Sequence, residues 1–149
     1  MVLGDLFSGF RDRIRSLDKV MTQKHIEKIK LSNGLAPDVW DCSRSIAPDT
    51  DKVELYVTVT VFLDPAFFTE PIQYETTRKF FGENILFEYR NSRTFVPKDD
   101  RETIFQQLID IFRRNVLPYL NIPDFPRQFV LSKYRDILHN PFKYRQNNE

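Results

Sequence analysis

The chain has 149 residues, the size of one domain, with 41% hydrophobic residues and 14 phenylalanines from which to build a core. Lys+Arg 22 against Asp+Glu 21 leaves a net charge of +1, which gives no overall attraction to nucleic acid or to an anionic membrane. The single cysteine, Cys42, excludes an internal disulfide, and no stretch approaches the roughly 20 apolar residues of a membrane span, so a cytoplasmic protein is expected.

Met1 to Phe7 lacks the basic start and unbroken apolar run of a secretory signal. Leu3, Leu6, Phe7, Phe10, Ile14, Leu17 and Met21 then recur at spacings of three and four, which predicts an amphipathic helix. Gly4 and Gly9 each weaken it by about 1 kcal/mol, so it is expected to rely on packing. Its stripe suits a helix covering the sheet; the alternatives are a surface-seeking amphipathic helix, against which the interleaved aspartates argue, and a surface for self-association. His25 to Leu31 reads as a helix end or a strand start. Ser32-Asn33-Gly34 is turn chemistry, since Asn and Gly tolerate positive φ. Pro37 biases Ala36 toward an extended conformation. Asp38 to Ser43 reads as a short strand, and Ala47 to Asp51 as a second turn.

From Val53 to Val61 apolar and polar residues alternate without a break. Val53, Leu55, Val57, Val59 and Val61 fall on one side; Glu54, Tyr56, Thr58 and Thr60 fall on the other. A period of two with β-branched residues predicts a strand with one buried and one wetter face. Asp64-Pro65 stops it, and Pro65 to Phe68 reads as a single helical turn. Pro71 to Phe81 has two readings. As a helix, Thr69 or Glu70 caps it and Gly82 ends it. As a strand, Ile72, Tyr74, Thr76, Arg78 and Phe80 alternate with the rest. Tyr74, Thr76 and Thr77 suit strands better, so a hairpin through Gly82-Glu83-Asn84 is expected.

Ile85 to Phe95 is a second strand, with Ile85, Phe87 and Tyr89 on one face and Leu86, Glu88 and Arg90 on the other. The pattern is lost from Asn91 onward. Asp99 and Glu102 resemble a capping box that opens a helix over about 100–118. Its buried stripe is Ile104, Phe105, Leu108, Ile109, Phe112 and Val116. Ile122 to Pro126 reads as a rigid connector packed by Ile122 and Phe125. A last helix runs from about Gln128 to Leu138, with Phe129, Val130, Tyr134, Ile137 and Leu138 inward, and residues from about 142 read as a mobile tail. The expected fold is α+β, a single domain over residues 1–149. An antiparallel sheet of three to five strands centres on residues 53–63, and the N-terminal helix and the helix at about 100–118 cover one face.

Little catalytic chemistry is present. His25 and His139 have no second ligand at metal-binding spacing, and Cys42 has no CxxC partner. No phosphate cradle and no G-x-S-x-G elbow occur. No catalytic residue, metal or cofactor is therefore assigned. Asp49 or Asp51, with Glu54 and Glu88 beside Arg90, offers a carboxylate-dependent metal enzyme such as a nuclease. The acid-x-Lys signature is missing, however, since Arg90 follows Glu88 at that spacing. Cross-strand pairs on a wet sheet face explain the same residues. The most suggestive surface runs from Tyr89 to Phe95, with Trp40 nearby. Arginine and aromatic residues are enriched at binding hot spots, and Arg90 and Arg93 suit bidentate contacts. The expected function is a non-catalytic protein-binding module, an inhibitor or toxin-neutralising (immunity-like) protein. It would bind another protein through Arg90, Arg93, Tyr89 and Trp40. The alternatives are the carboxylate-dependent enzyme and a structural protein that self-assembles into a homo-oligomer through its N-terminal helix.

Overall fold

The computed structural model describes residues 23–146, so the amphipathic segment expected over residues 2–21 lies outside the described residues. Along the chain run β1 (Lys24–Lys28), β2 (Asp38–Asp41), β3 (Arg44–Ala47), β4 (Thr50–Phe62) and a 3₁₀ turn (Pro65–Phe67). There follow α1 (Pro71–Phe81), β5 (Asn84–Pro97), α2 (Arg101–Asn115), α3 (Leu117–Leu120), α4 (Phe125–His139) and α5 (Pro141–Gln146). The described strands make one five-stranded antiparallel sheet, in which β1 borders β2, and β4 borders β2, β3 and β5. The fold is α+β, and its central strand is the one the alternation marks. Val53, Leu55, Val57, Val59 and Val61 are all fully buried.

The chain's contacts gather into two compact units. One holds Asp38–Val57, Tyr89–Ile111 and the described residues up to Glu27; the other holds Lys28–Pro37, Thr58–Glu88 and the chain from Phe112. Neither is a continuous stretch, because β4, β5 and α2 each pass from one unit into the other.

In the first unit, Val39, Val53, Leu55 and Val57 form a core together with Val96 and with Phe105, Leu108 and Ile109 of α2. Each such side chain contributes roughly 1.5–3 kcal/mol when fully buried. Between β2 and β3 a side chain carries the ladder. Cys42 N–H donates to the Glu54 carbonyl at 2.9 Å, and Glu54 N–H donates to the Ser43 hydroxyl at 3.0 Å. Beyond this point Arg44 lies opposite Lys52 and Ser45 opposite Asp51. The alternation of β4 sends Asp51 inward, where it is 1% exposed. Its carboxylate lies 3.2 Å from Arg101 Nη1 and 3.5 Å from Lys98 Nζ, and Arg101 Nη2 also donates to the Ser43 carbonyl. The buried acid is thus answered by two cations, one just after β5 and one at the start of α2, although among the described residues its Oδ1 accepts no hydrogen bond.

The lost pattern near the end of β5 has a specific cause. Leu63 N–H donates to the Glu83 carbonyl, and Lys98 N–H donates to the Asp49 carbonyl. Between those two bonds β5 spends one residue more than β4, which is a β-bulge. Phe95 is the residue with left-handed backbone, at φ 57°. The bulge turns Val96 into the core and leaves Phe95 79% exposed. β5 therefore continues to Pro97, past the point where alternation stops.

In the second unit, Pro71–Phe81 is a helix and not the expected hairpin strand. Its ends outweigh the strand preference of Tyr74, Thr76 and Thr77. Gln73 Oε1 accepts from the backbone N–H groups of Thr69 and Glu70 and from the Thr69 hydroxyl, which ties the cap residue and the one before it to the first turn. Pro71 occupies the first turn, and Gly82 ends the helix at φ 82°, a conformation open to glycine. Thr77 is fully buried, with its hydroxyl donating to the Gln73 carbonyl at 2.8 Å. The turn at Ser32-Asn33-Gly34 forms as expected, with Gly34 at φ 92°. Asn33 Nδ2 donates to the carbonyls of Leu120 and Ile122, and the Ser32 N–H and hydroxyl both donate to Asn121 Oδ1.

Within the tail expected from about 142, Pro141–Gln146 forms the short helix α5. Tyr144 is 6% exposed, and its ring stands edge-on to Phe80 and Phe81 of α1. Its hydroxyl donates to Asp136 Oδ2 on α4, where Lys143 Nζ also lies at 3.4 Å and Asn140 Nδ2 donates to Oδ1 at 2.7 Å. Of the two residues expected to pack the connector, Phe125 opens α4 and is buried, whereas Ile122 is 41% exposed. Val130 and Ile137 face inward on α4, whereas Leu138 faces water.

Candidate protein-binding face

The wetter side of the sheet in the first unit gathers aromatic and charged residues from four strands. Alternation on β4 turns Glu54 and Tyr56 away from the valines. On β2 it buries Val39 at 1% exposure and sends Asp38 and Trp40 the other way. The Cys42–Glu54 bond and the Arg44–Lys52 pair share one register, which continues to place Trp40 opposite Tyr56. On β1, the His25 ring stands edge-on to Trp40, with centroids 4.8 Å apart, and His25 Nε2 lies 2.9 Å from Asp38 Oδ1.

Arg90 comes from β5. Its guanidinium carbon sits 3.8 Å from the Tyr56 ring centroid, and Nη1 lies 3.7 Å from Glu54 Oε1. Tyr56 is roofed to 9% exposure, although it lies on the polar side of its strand. A cation over an aromatic ring is worth about 0.5–2 kcal/mol, depending on how dry it is. The Arg90 side chain is 34% exposed, so the lower half of that range applies. The arrangement holds a guanidinium flat and leaves part of it open to solvent.

The residues singled out in the sequence divide between the two sides. Arg90 and Trp40 belong to this face. Tyr89 alternates to the side of Phe87, whose ring packs edge-on against Phe125 and Phe129 in the second unit. Arg93 falls on that same side by alternation, and its Nη1 donates to Asn91 Oδ1 and to the Ser92 carbonyl, both at 3.0 Å. His25, Asp38 and Tyr56 were not singled out for binding. Tyr56 had a signal, as a large aromatic among Glu and Thr on the polar side of the strand. His25 had none, because only strand pairing brings it to Trp40.

The acids of the enzymatic reading separate as well. Asp51 points inward to Lys98 and Arg101, and Glu54 points outward to Arg90. Among the described residues, no three His, Cys, Asp or Glu side chains come together as metal ligands. No helix among the described residues is long and apolar enough to cross a membrane. No protein-family model matches the chain, no curated protein is significantly similar to it, and no solved structure significantly matches its fold.

Proposed function

We propose that the protein is a non-catalytic binding module that meets another protein through the wet sheet face, with Arg90, Tyr56 and Trp40 at the centre of the contact. The observation that carries this reading is the Arg90 guanidinium held 3.8 Å above the Tyr56 ring. An arginine already fixed in place loses little side-chain entropy on binding, and Arg, Tyr and Trp are the residues most often found at hot spots. An inhibitory or toxin-neutralising role is the form of this function favoured here, in the cytoplasm. Cys42, the one cysteine of the sequence, is buried and in keeping with that compartment.

The test is capture of the tagged protein from its native extract, followed by affinity measurements on the partner identified. Arg90→Ala and Trp40→Ala are each expected to weaken binding by about tenfold or more. Arg93→Ala, on the other side of the sheet, is expected to leave affinity nearly unchanged. Full affinity for both Arg90→Ala and Trp40→Ala, with a normal fold, would sink the proposal.

A further inference from the structure

The second unit holds a cleft of about 230 Å³, bounded by the 3₁₀ turn, the start of α1 and one side of α4. Arg127, Leu131, Tyr134 and Arg135 stand at i, i+4, i+7 and i+8, and so share that side of the helix. Phe67, Leu131 and the Tyr134 ring make the walls largely apolar. Two polar groups here are already committed. Arg127 grips Asp124 through Nε at 3.0 Å and Nη2 at 3.2 Å. Gln73 Oε1 is filled by its three donors from Thr69 and Glu70. Each of the groups left over can donate. Among the described residues, the Arg135 guanidinium, the Tyr134 hydroxyl and the Gln73 amide nitrogen have no hydrogen-bond or ion-pair partner.

We propose that this cleft binds a carboxylate carried on an apolar group the size of one amino-acid side chain. Arg135 grips the carboxylate, Tyr134 and Gln73 add donors, and Phe67 and Leu131 take the apolar part. The charge argument selects the class of ligand. The Asp124–Arg127 pair is internally neutral, so one uncompensated positive charge remains, which matches a monoanion better than a phosphate dianion. A planar guanidinium fork also fits a carboxylate bidentately. The size argument selects the scale. The cleft falls below the roughly 300–1,000 Å³ of sites that enclose drug-sized ligands. This site is independent of the sheet face and needs no residue of it.

The probe is N-acetylphenylalanine, titrated into the full chain and followed by amide NMR, with N-acetylphenylalaninamide as the uncharged control. The acid is expected to shift Gln73 and residues 127–135 saturably, with a Kd of about 1 mM or below. The amide is expected to bind at least about tenfold more weakly, since it lacks the charge-assisted contact. Arg135→Gln, an exposed substitution, should erase the preference for the acid without changing the melting temperature. Leu131→Trp should block both probes by filling the cleft. A peptide ending in free Phe that binds more tightly than the capped amino acid identifies a polypeptide C-terminus as the source of the carboxylate. Equal affinity identifies a free small molecule. Equal response to acid and amide, no shift of these residues by about 10 mM acid, or tighter binding of inorganic phosphate than of the acid would overturn the proposal.

Discussion

At the scale of single residues, two positions carry strain or charge that the rest of the fold must hold. Phe95 has left-handed backbone and 79% of its surface in solvent, so it contributes little to the core in return. An L-residue other than glycine or asparagine bears roughly 1–2 kcal/mol there, and glycine gives back about 0.5–1 kcal/mol as lost chain entropy. Phe95→Gly is therefore expected to stabilise the protein by about 0.5–1 kcal/mol, seen as a melting temperature a few degrees higher. A lower melting temperature would mean that the ring packs on something in solution. Asp51 is the opposite case, a 1% exposed carboxylate whose charge is met by Arg101 and Lys98. Removing one partner of a buried pair typically costs 3–5 kcal/mol, but Arg101 is 40% exposed and Lys98 stays behind. Arg101→Ala is accordingly expected to cost about 2 kcal/mol in urea unfolding, and Asp51→Asn less, because it removes the buried charge itself. Wild-type stability in Arg101→Ala would show that Lys98 alone satisfies the acid. Neither residue announced itself. Asp51 read as a turn acid or as one member of a carboxylate cluster, not as a buried partner of Arg101, and Phe95 as the ragged end of a strand.

Among the elements, β4 was legible because its buried and wet sides are cleanly sorted at period two, and α2 because its stripe holds over four turns. α1 was misread, since intrinsic strand preference in its middle competes with signals at its two ends, and the ends win once Thr77 is buried. The helix of α5 has no local signal, for a different reason. Its residues are mostly polar, and what orders it lies on other helices. Tyr144 shows how. Burial, with help from the Asp136 carboxylate, pushes its phenol up to about 12 from an ordinary value near 10. The folded chain therefore holds that proton more tightly than the unfolded chain does. The stabilisation is complete below about pH 10 and lost as pH rises through about 12. Asp136 behaves inversely. The Tyr144 hydroxyl, and then Lys143 and Asn140, hold its carboxyl below the usual carboxylate range, so its contribution is present above that range and disappears as pH falls through the lowered value. α5 is expected to detach at both extremes. One phenol should titrate near pH 12 by absorbance, and Tyr144→Phe should remove that step along with the acid-side loss. An unchanged titration in the variant would show that the clasp does not form.

For the molecule as a whole, the fold class was readable and the candidate face only half so. Apart from His25, whose segment reads equally as a helix end, each of its residues lies on a strand whose identity the local pattern supports, but which residues meet depends on strand order and register. Arg90 over Tyr56 joins positions 34 apart in the sequence, and His25 reaches Trp40 across a β1–β2 pairing that no local signal encodes. The same topology hid the carboxylate cleft, whose walls come from the 3₁₀ turn, α1 and α4.

Trp40 is the chain's one tryptophan, and it sits on that face beside His25. The protein's intrinsic emission therefore originates where its partner is expected to land. An indole losing water on contact shifts its spectrum without any attached dye. A partner or fragment that lacks tryptophan can thus be titrated against the unlabelled protein by indole emission alone, with Trp40→Phe, which keeps only tyrosine emission, as the control.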